Sequence, residues 1–312
     1  MHAASLEPTT PEIPNAQAVM SRVGGESFPV AARVLSRRDR SHLLAIYGFA
    51  RLADEIGDEL TGDRLAALDW LQGELDCAYA GKARHPLLER LQPTLAECAL
   101  PREPLMRLIE ANRLDQRMTH YETWEQLQAY CELSANPVGE LVLCVFGLAT
   151  PERVTLSNHV CTALQLAEHL QDVEEDLRRG RVYLPEEDLV RFGCSQKQLA
   201  ALVSHGGEDL DLRGVLAGSS TQSAVNGCTE DHLRETVSFE TARARELLAA
   251  GVPLVRSIRG RQKLAVAAFL AGARAALDGI EGANFEVLGG VSRPTRPRLV
   301  RALAGVLVES RA

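Results

Sequence analysis

No apolar run in this chain is long enough to cross a bilayer as a helix, which takes about 20 residues. The longest candidates are Leu141 to Ala149, which is too short, and Leu264 to Leu277, which Arg274 interrupts. Met1 to Asn15 is poor in apolar residues and rich in Pro and Thr, so it does not read as a signal peptide. Positive charge is in short supply: 34 Lys and Arg against 42 Asp and Glu leave a net charge of −8. That balance argues against a nucleic-acid partner held by phosphate neutralisation and against an electrostatic membrane anchor. The seven cysteines (Cys77, Cys98, Cys131, Cys144, Cys161, Cys194, Cys228) show no CxxC spacing. They read as reduced thiols used as small core residues in a reducing compartment. A dinucleotide fingerprint, an alternating strand pattern and an internal repeat are all missing. The chain is expected to be cytoplasmic and soluble.

The sequence is rich in helix formers. Ala, Leu, Arg and Glu dominate, and the 46% hydrophobic fraction can fill a sizeable core although only 4% is aromatic. The reading is one all-α domain over residues 16–312, with a central cavity, behind a disordered tail over residues 1–15. Ser41 is expected to cap the helix SHLLAIYGFARLADEIGDE. Helices are further expected over 63–80, 86–99, 102–119 and 123–147, the last kinked or broken at Asn136-Pro137. Gly251-Val252-Pro253 should separate two long helices, 229–250 and 258–281, and 205–228 reads as a loop.

Two acidic stretches stand out. Residues 163–188, ALQLAEHLQDVEEDLRRGRVYLPEED, read as one long helix that carries Glu168, Asp172 and Asp176 at i, i+4 and i+8, with Glu175 beside them. Successive acids rise by about 6 Å along the axis. Their repulsion costs a helix a few tenths of a kcal/mol per pair, which invites a divalent cation. Upstream, Asp54 and Asp58 repeat the spacing, with Glu55 and Glu59 alongside. A lone DxxxD is most often a solvated face. Two copies, each with arginines (Arg51; Arg178, Arg179, Arg181) and a tyrosine (Tyr47; Tyr183) close by, favour metal-assisted binding of a diphosphate. Mg²⁺ commonly takes one or two carboxylates and fills its shell with substrate phosphates.

FARLADEIGDE and LQLAEHLQDVEEDLRRGRVYLP resemble the two aspartate-rich signatures of the squalene/phytoene synthase family, and AYCELSANPVGELVL resembles its third block. The likeness runs from about Ser21 to Leu303. ESFPVA, SANPVG and QDV (where relatives have RDV) are most similar to the bacterial hydroxysqualene synthases of that family. The resemblance implies an isoprenoid-synthase helical bundle around a central apolar cavity. It implies Mg²⁺ held by Asp54, Asp58, Asp172 and Asp176, with Glu55, Glu168 and Glu175 as weaker ligands. Arg51, Arg181 and Arg38 are expected on phosphate oxygens. Phe28 and Val138 are expected at the substrate, and Tyr47, Tyr130 and Tyr183 at the reacting centre, with Phe49 offering a further ring.

The implied reaction is ionisation of presqualene diphosphate and capture of the cation by water, without NADPH. A presqualene diphosphate synthase and a flavin-dependent enzyme would stand before and after it, with peripheral contact at the inner membrane. Two departures matter. Glu168 stands where relatives have Asn, and Gln171 and Glu26 stand where head-to-head condensing relatives have Arg. The loss of two cations favours one-diphosphate chemistry. The alternatives are a head-to-head prenyl synthase (presqualene diphosphate, squalene, phytoene or dehydrosqualene) and a catalytically inactive helical assembly factor, which should have eroded its acid rows.

Overall fold

A computed structural model describes residues 13–21, 34–199, 228–291 and 294–310. The described residues fold into helices α1 (Ala16–Ser21), α2 (Arg37–Asp58), α3 (Arg64–Tyr79), α4 (Pro86–Glu97), α5 (Arg102–Asp115), α6 (Trp124–Ser134), α7 (Asn136–Val145), α8 (Pro151–Gln171), α9 (Val173–Arg178), α10 (Glu186–Arg191), α11 (Glu230–Ser257), α12 (Gly260–Gly282) and α13 (Arg296–Glu309). Among them only an isolated bridge, His120 with Val182, has strand-like pairing. The all-α expectation holds. No helix among the described residues is long and apolar enough to cross a membrane. The Phe28 and Glu26 expectations, the 205–227 loop and most of the tail lie outside the described residues.

The chain divides into two compact units, Met1–Arg117 with Leu133–Val154, and Met118–Glu132 with Thr155–Ala312. In the first unit α2 is the central element. It starts four residues before the expected Ser41 cap, because Ser36 Oγ accepts the Asp39 N–H at 3.0 Å. Its inward positions, Leu43, Ile46, Phe49, Leu52, Ala53 and Ile56, recur every three or four residues and are at most 3% exposed. All of these but Leu43 share one core cluster with Leu71, Leu88, Leu105, Ile109 and Leu141 of the surrounding helices. Each of the Leu, Ile and Phe side chains contributes about 1.5–3 kcal/mol by leaving water. Arg64 closes the far end of α2 by donating to the carbonyls of Leu60 and Asp58, both at 2.9 Å.

In the second unit the long acidic helix is interrupted at Asp172 (φ −104°, ψ 12°) and ends at Arg178, where Gly180 turns into left-handed backbone (φ +75°). The interruption falls in DVEED, the stretch densest in mutually repelling carboxylates. The N–H groups of Asp172 and Asp176 still reach the carbonyls of Glu168 and Asp172, at 3.0 and 2.8 Å, so the acid register survives the bend. The expected break at Gly251-Val252-Pro253 does not occur. Helix α11 runs through to Ser257, and Gly251 serves close packing instead of a turn. A Cβ there would stand 2.4 Å from Val160 Cγ2 and 3.3 Å from the Leu156 carbonyl. Gly251→Ala gains about 0.5–1 kcal/mol of helix propensity and loses about 1–3 kcal/mol to overpacking. It is therefore expected to lower the denaturant midpoint, and adding Val160→Ala should restore most of the loss.

The expectation of free thiols holds for five cysteines and fails for two, and of the five only Cys131 is buried as a core residue. Cys77, Cys98, Cys131, Cys144 and Cys161 are free thiols, whereas Cys194 and Cys228 form a disulfide across a sequence separation of 34. The fold brings the pair together. The turn after α10 runs through Gly193 in left-handed backbone (φ +78°) beside the His232 ring of α11, so Cys194 meets the residue that precedes the α11 cap. Spacing along the chain could not show this.

Candidate functional site

In the first unit the solvent side of α2 carries Asp54 and Asp58, both exposed and one turn apart. Glu55 lies on a different face, only 7% exposed. The Arg51 guanidinium stands between Glu55 (Nε to Oε1, 3.5 Å) and Glu59 (Nη2 to Oε1, 3.4 Å). Helix α5 steadies the Asp54 turn. Asn112 Nδ2 donates to Asp54 Oδ1 at 3.3 Å and to the Leu108 carbonyl at 3.0 Å, and Gln116 Nε2 donates to the Gly57 carbonyl at 2.9 Å. This approach depends on Gly57, where a Cβ would lie 2.0 Å from Asn112 Oδ1. Asn112 was missed in the sequence because its role is set by a partner 58 residues away.

Other expectations for this unit fare unevenly. Arg38 is sixteen residues before Asp54, about 24 Å along the helix, and pairs with Glu97 at 3.2 Å. The structure therefore does not bring it to the acid row. Phe49 is 0% exposed within the apolar core, which makes it packing and not an exposed π face. Tyr47 is half-buried on α2, and Val138 packs on the edge of the core.

In the second unit Glu168 and Asp172 are exposed and Asp176 is partly buried. Burial, reinforced by the charge of Asp172, pushes the Asp176 carboxyl up to about 7 against the opposing pull of Arg181 and Arg179. Arg179 pairs with Glu175 at 2.7 Å and Arg178 with Glu174. Of the three basic residues in RRGR, Arg181 is the one that lies against the Asp176 pocket.

Beside this acid row is an aromatic cluster that the sequence disclosed only in part. Val182 N–H bonds to the Thr119 carbonyl at 2.8 Å and Glu186 N–H to the Tyr121 carbonyl at 2.9 Å. These bonds lay the segment after α9 along the one before α6 and bring Tyr183 against Tyr121 and Tyr130, with ring centroids 5.8 and 5.6 Å apart. His169 stacks on Tyr183 at 3.9 Å with an interplanar angle of 8°. Burial lowers the His169 pKa to about 3, so the ring is neutral. Tyr130 and Tyr183 were expected here. Tyr121, in a connection without periodicity, and His169 were not. The available signal for His169 was its place one residue after Glu168 and one turn after Gln165.

Among the described residues no three His, Cys, Asp or Glu side chains converge as a closed metal cage. Each acid row instead offers a few carboxylates on an open face, a donor set that suits a hard cation completing its shell with water and phosphate oxygens. A buried acid raised to about 7 beside a second acid is the kind of group that a bound cation would relieve.

A hydroxysqualene synthase of Rhodopseudomonas palustris is 38% identical over 179 residues, 56% of this chain and 60% of that protein. The alignment thus spans about three-fifths of that relative's length. A 15-cis-phytoene synthase of Synechococcus elongatus is 28% identical over 84% of this chain and 82% of its own. The crystal structure of squalene synthase HpnC from Alicyclobacillus acidocaldarius superposes with a TM-score of 0.74 at 37% identity, covering 87% of this chain and 94% of that one. A solved dehydrosqualene synthase, 21% identical with a TM-score of 0.75, covers 95% of this chain and 96% of its own and shares the same all-α fold. The squalene/phytoene synthase family model matches residues 21–301, and with its acid rows and helical architecture the chain belongs to the squalene/phytoene synthase family.

Proposed function

We propose that the chain ionises presqualene diphosphate and captures the resulting cation with water, giving hydroxysqualene and diphosphate in bacterial squalene and hopanoid biosynthesis. The observation that carries this reading is the juxtaposition on α8 and α9. Glu168, Asp172 and Asp176 adjoin His169, whose ring stacks on Tyr183. A charged leaving group and a π-rich surface for a cation are thus served by neighbouring residues.

Bound Mg²⁺ would neutralise the diphosphate and make it a better leaving group. Asp54, Asp58, Asp172 and Asp176 would hold it, with Glu168 contributing. Arg51 and Arg181 offer guanidinium groups to phosphate oxygens, and Tyr130 and Tyr183 offer ring faces to the cation. The overall reaction adds water and changes no oxidation level, so it consumes no reductant. The presqualene diphosphate would come from a separate synthase, and the alcohol would pass to a flavin-dependent enzyme. Product release at the inner membrane surface is supported by α13, whose outward Val300 and Val308 are 67% and 66% exposed beside Arg296, Arg298 and Arg301.

A head-to-head prenyl synthase is the second reading, favoured by 34% identity over 174 residues to a presqualene diphosphate synthase of Rhodopseudomonas palustris. Purified protein given presqualene diphosphate, with and without Mg²⁺, should form hydroxysqualene by mass spectrometry only when metal is present. Formation of presqualene diphosphate from farnesyl diphosphate alone would replace the first reading with the second. Retained acid rows speak against an inactive assembly factor, and failure to turn over C15, C20 and C30 diphosphates alike would support one.

Within this reading Asn112 positions Asp54. Asn112→Leu removes the amide donor at nearly constant volume and should lower turnover about 10–100-fold, the cost typical of losing a group that orients a metal ligand. The Mg²⁺ concentration giving half-maximal turnover should rise with it, and Gly57→Ala, which displaces the same amide, should act in the same direction.

A further inference from the structure

We infer that His169 holds the water molecule that captures the carbocation, which makes it a determinant of the alcohol product. This rests on the reaction proposed above. His169 lines a cavity of about 10 Å³ together with Val173, Asp176, Arg181, Tyr183 and Leu199. That volume is the room one water molecule needs, and a buried water is stable where two to four polar groups face it. The cavity offers three: the imidazole, the Asp176 carboxylate and the Arg181 guanidinium. The rest of its wall is apolar apart from the Tyr183 ring, so a water there has a restricted set of orientations.

The imidazole is itself held in place. Gln165, one turn earlier on α8, approaches His169 Nε2 through its own Nε2 at 3.1 Å. An amide NH₂ can only donate, so Nε2 accepts and the ring proton sits on Nδ1. Stacking on Tyr183 at 3.9 Å and packing against Tyr130 at 6.2 Å fix the ring plane. Nδ1–H is then the ring's remaining donor. With Arg181 engaged on the diphosphate as assigned above, a water that accepts from Nδ1–H and donates to Asp176 keeps one lone pair to attack. In the step itself a water lone pair forms the new C–O bond. The O–H bond that breaks gives its proton to the departed diphosphate, so presqualene diphosphate and water become alcohol and protonated diphosphate with atoms and charge in balance. No oxidant or reductant enters.

The test uses the full chain with presqualene diphosphate and Mg²⁺ in ¹⁸O-labelled water, following diphosphate release and product distribution together. Wild type should give one labelled alcohol. His169→Phe keeps the stacking ring and removes both nitrogens. Whatever its overall rate, the share of hydroxysqualene among the products released should fall at least about tenfold, replaced by deprotonated hydrocarbons and other alcohols. His169→Asn, which restores a polar atom near the Nδ1 position, should recover most of the alcohol. A group that only packs would change yield and not this partition, so an unchanged product distribution in His169→Phe overturns the inference. Should the Phe variant not fold, His169→Leu against His169→Asn makes the same comparison, and equal distributions overturn it. Wild type that turns presqualene diphosphate into no alcohol at all defeats the proposed function instead, a result distinct from a working enzyme indifferent to residue 169.

Discussion

Asp176→Asn should reduce Mg²⁺-dependent release of diphosphate from presqualene diphosphate by about 10²–10³-fold, the loss expected when a group stabilising developing charge is removed. The same substitution should raise the melting temperature of the metal-free protein. The folded state holds the Asp176 proton up to about 7, against 3.8 for the unperturbed group, chiefly because of burial. Folded protein therefore binds more protons than unfolded protein across that interval, and stability falls as pH climbs from 3.8 to about 7. The amide removes this penalty, so the gain in melting temperature should be larger at pH 8 than at pH 5, read by calorimetry in chelator. Adding Mg²⁺ with inorganic diphosphate should stabilise wild type and leave the variant nearly unmoved, because only the intact acid row gains a ligand. Lower activity with unchanged or reduced stability at pH 8 would remove Asp176 from the role assigned to it.

Arg243→Ala is expected to cost about 3–5 kcal/mol of folding free energy, the range for breaking a buried ion pair from one side. Arg243 Nη1 donates to Asp188 Oδ2 at 2.8 Å and to Glu240 Oε1 at 2.5 Å, joining α10 to α11. Its guanidinium also lies over Trp124 and Phe239, 4.6 and 4.8 Å from the ring centroids. Without it two acids, 4% and 1% exposed, share one apolar environment. Burial pushes the Glu240 carboxyl up to about 8, with the neighbouring Asp188 adding to the effect and Arg243 opposing it. The folded state again retains a proton that the unfolded chain releases near 4.5. Wild-type stability should thus decline by up to about 1.4 kcal/mol per pH unit from this group between those values. Glu240→Gln should flatten that slope in urea titrations run from pH 5 to pH 9. A slope unchanged by the amide would mean that Glu240 stays ionised throughout.

These two clusters show what was legible beforehand and what was not. Asp176 could be read from the sequence because its neighbours in the acid row are four and eight residues away, within the repeat of a single helix. The Asp188–Arg243–Glu240 group could not, since Asp188 lies 55 residues before Arg243 and joins the Glu240–Arg243 pair only when α10 packs on α11. Tyr130 and Tyr183 were legible through the motifs that contain them. Tyr121 joined them through a short strand-like pairing that no local pattern announced. Arg38 looked suitable by type and failed by distance, because a straight helix carries a residue sixteen positions away far from the acid row.

The sequence by itself determined the helical class and the register of both acid rows. Both follow from spacings shorter than two helical turns, where covalent connection fixes who is near whom. Only the tertiary structure decided the Cys194–Cys228 disulfide, the use of Gly57 and Gly251 for close helix approach, the amide on Asp54 and the stack of His169 on Tyr183. Each of the packed contacts joins groups whose separation along the chain says nothing about their separation in space. Shape complementarity between packed helices, not local propensity, sets that distance.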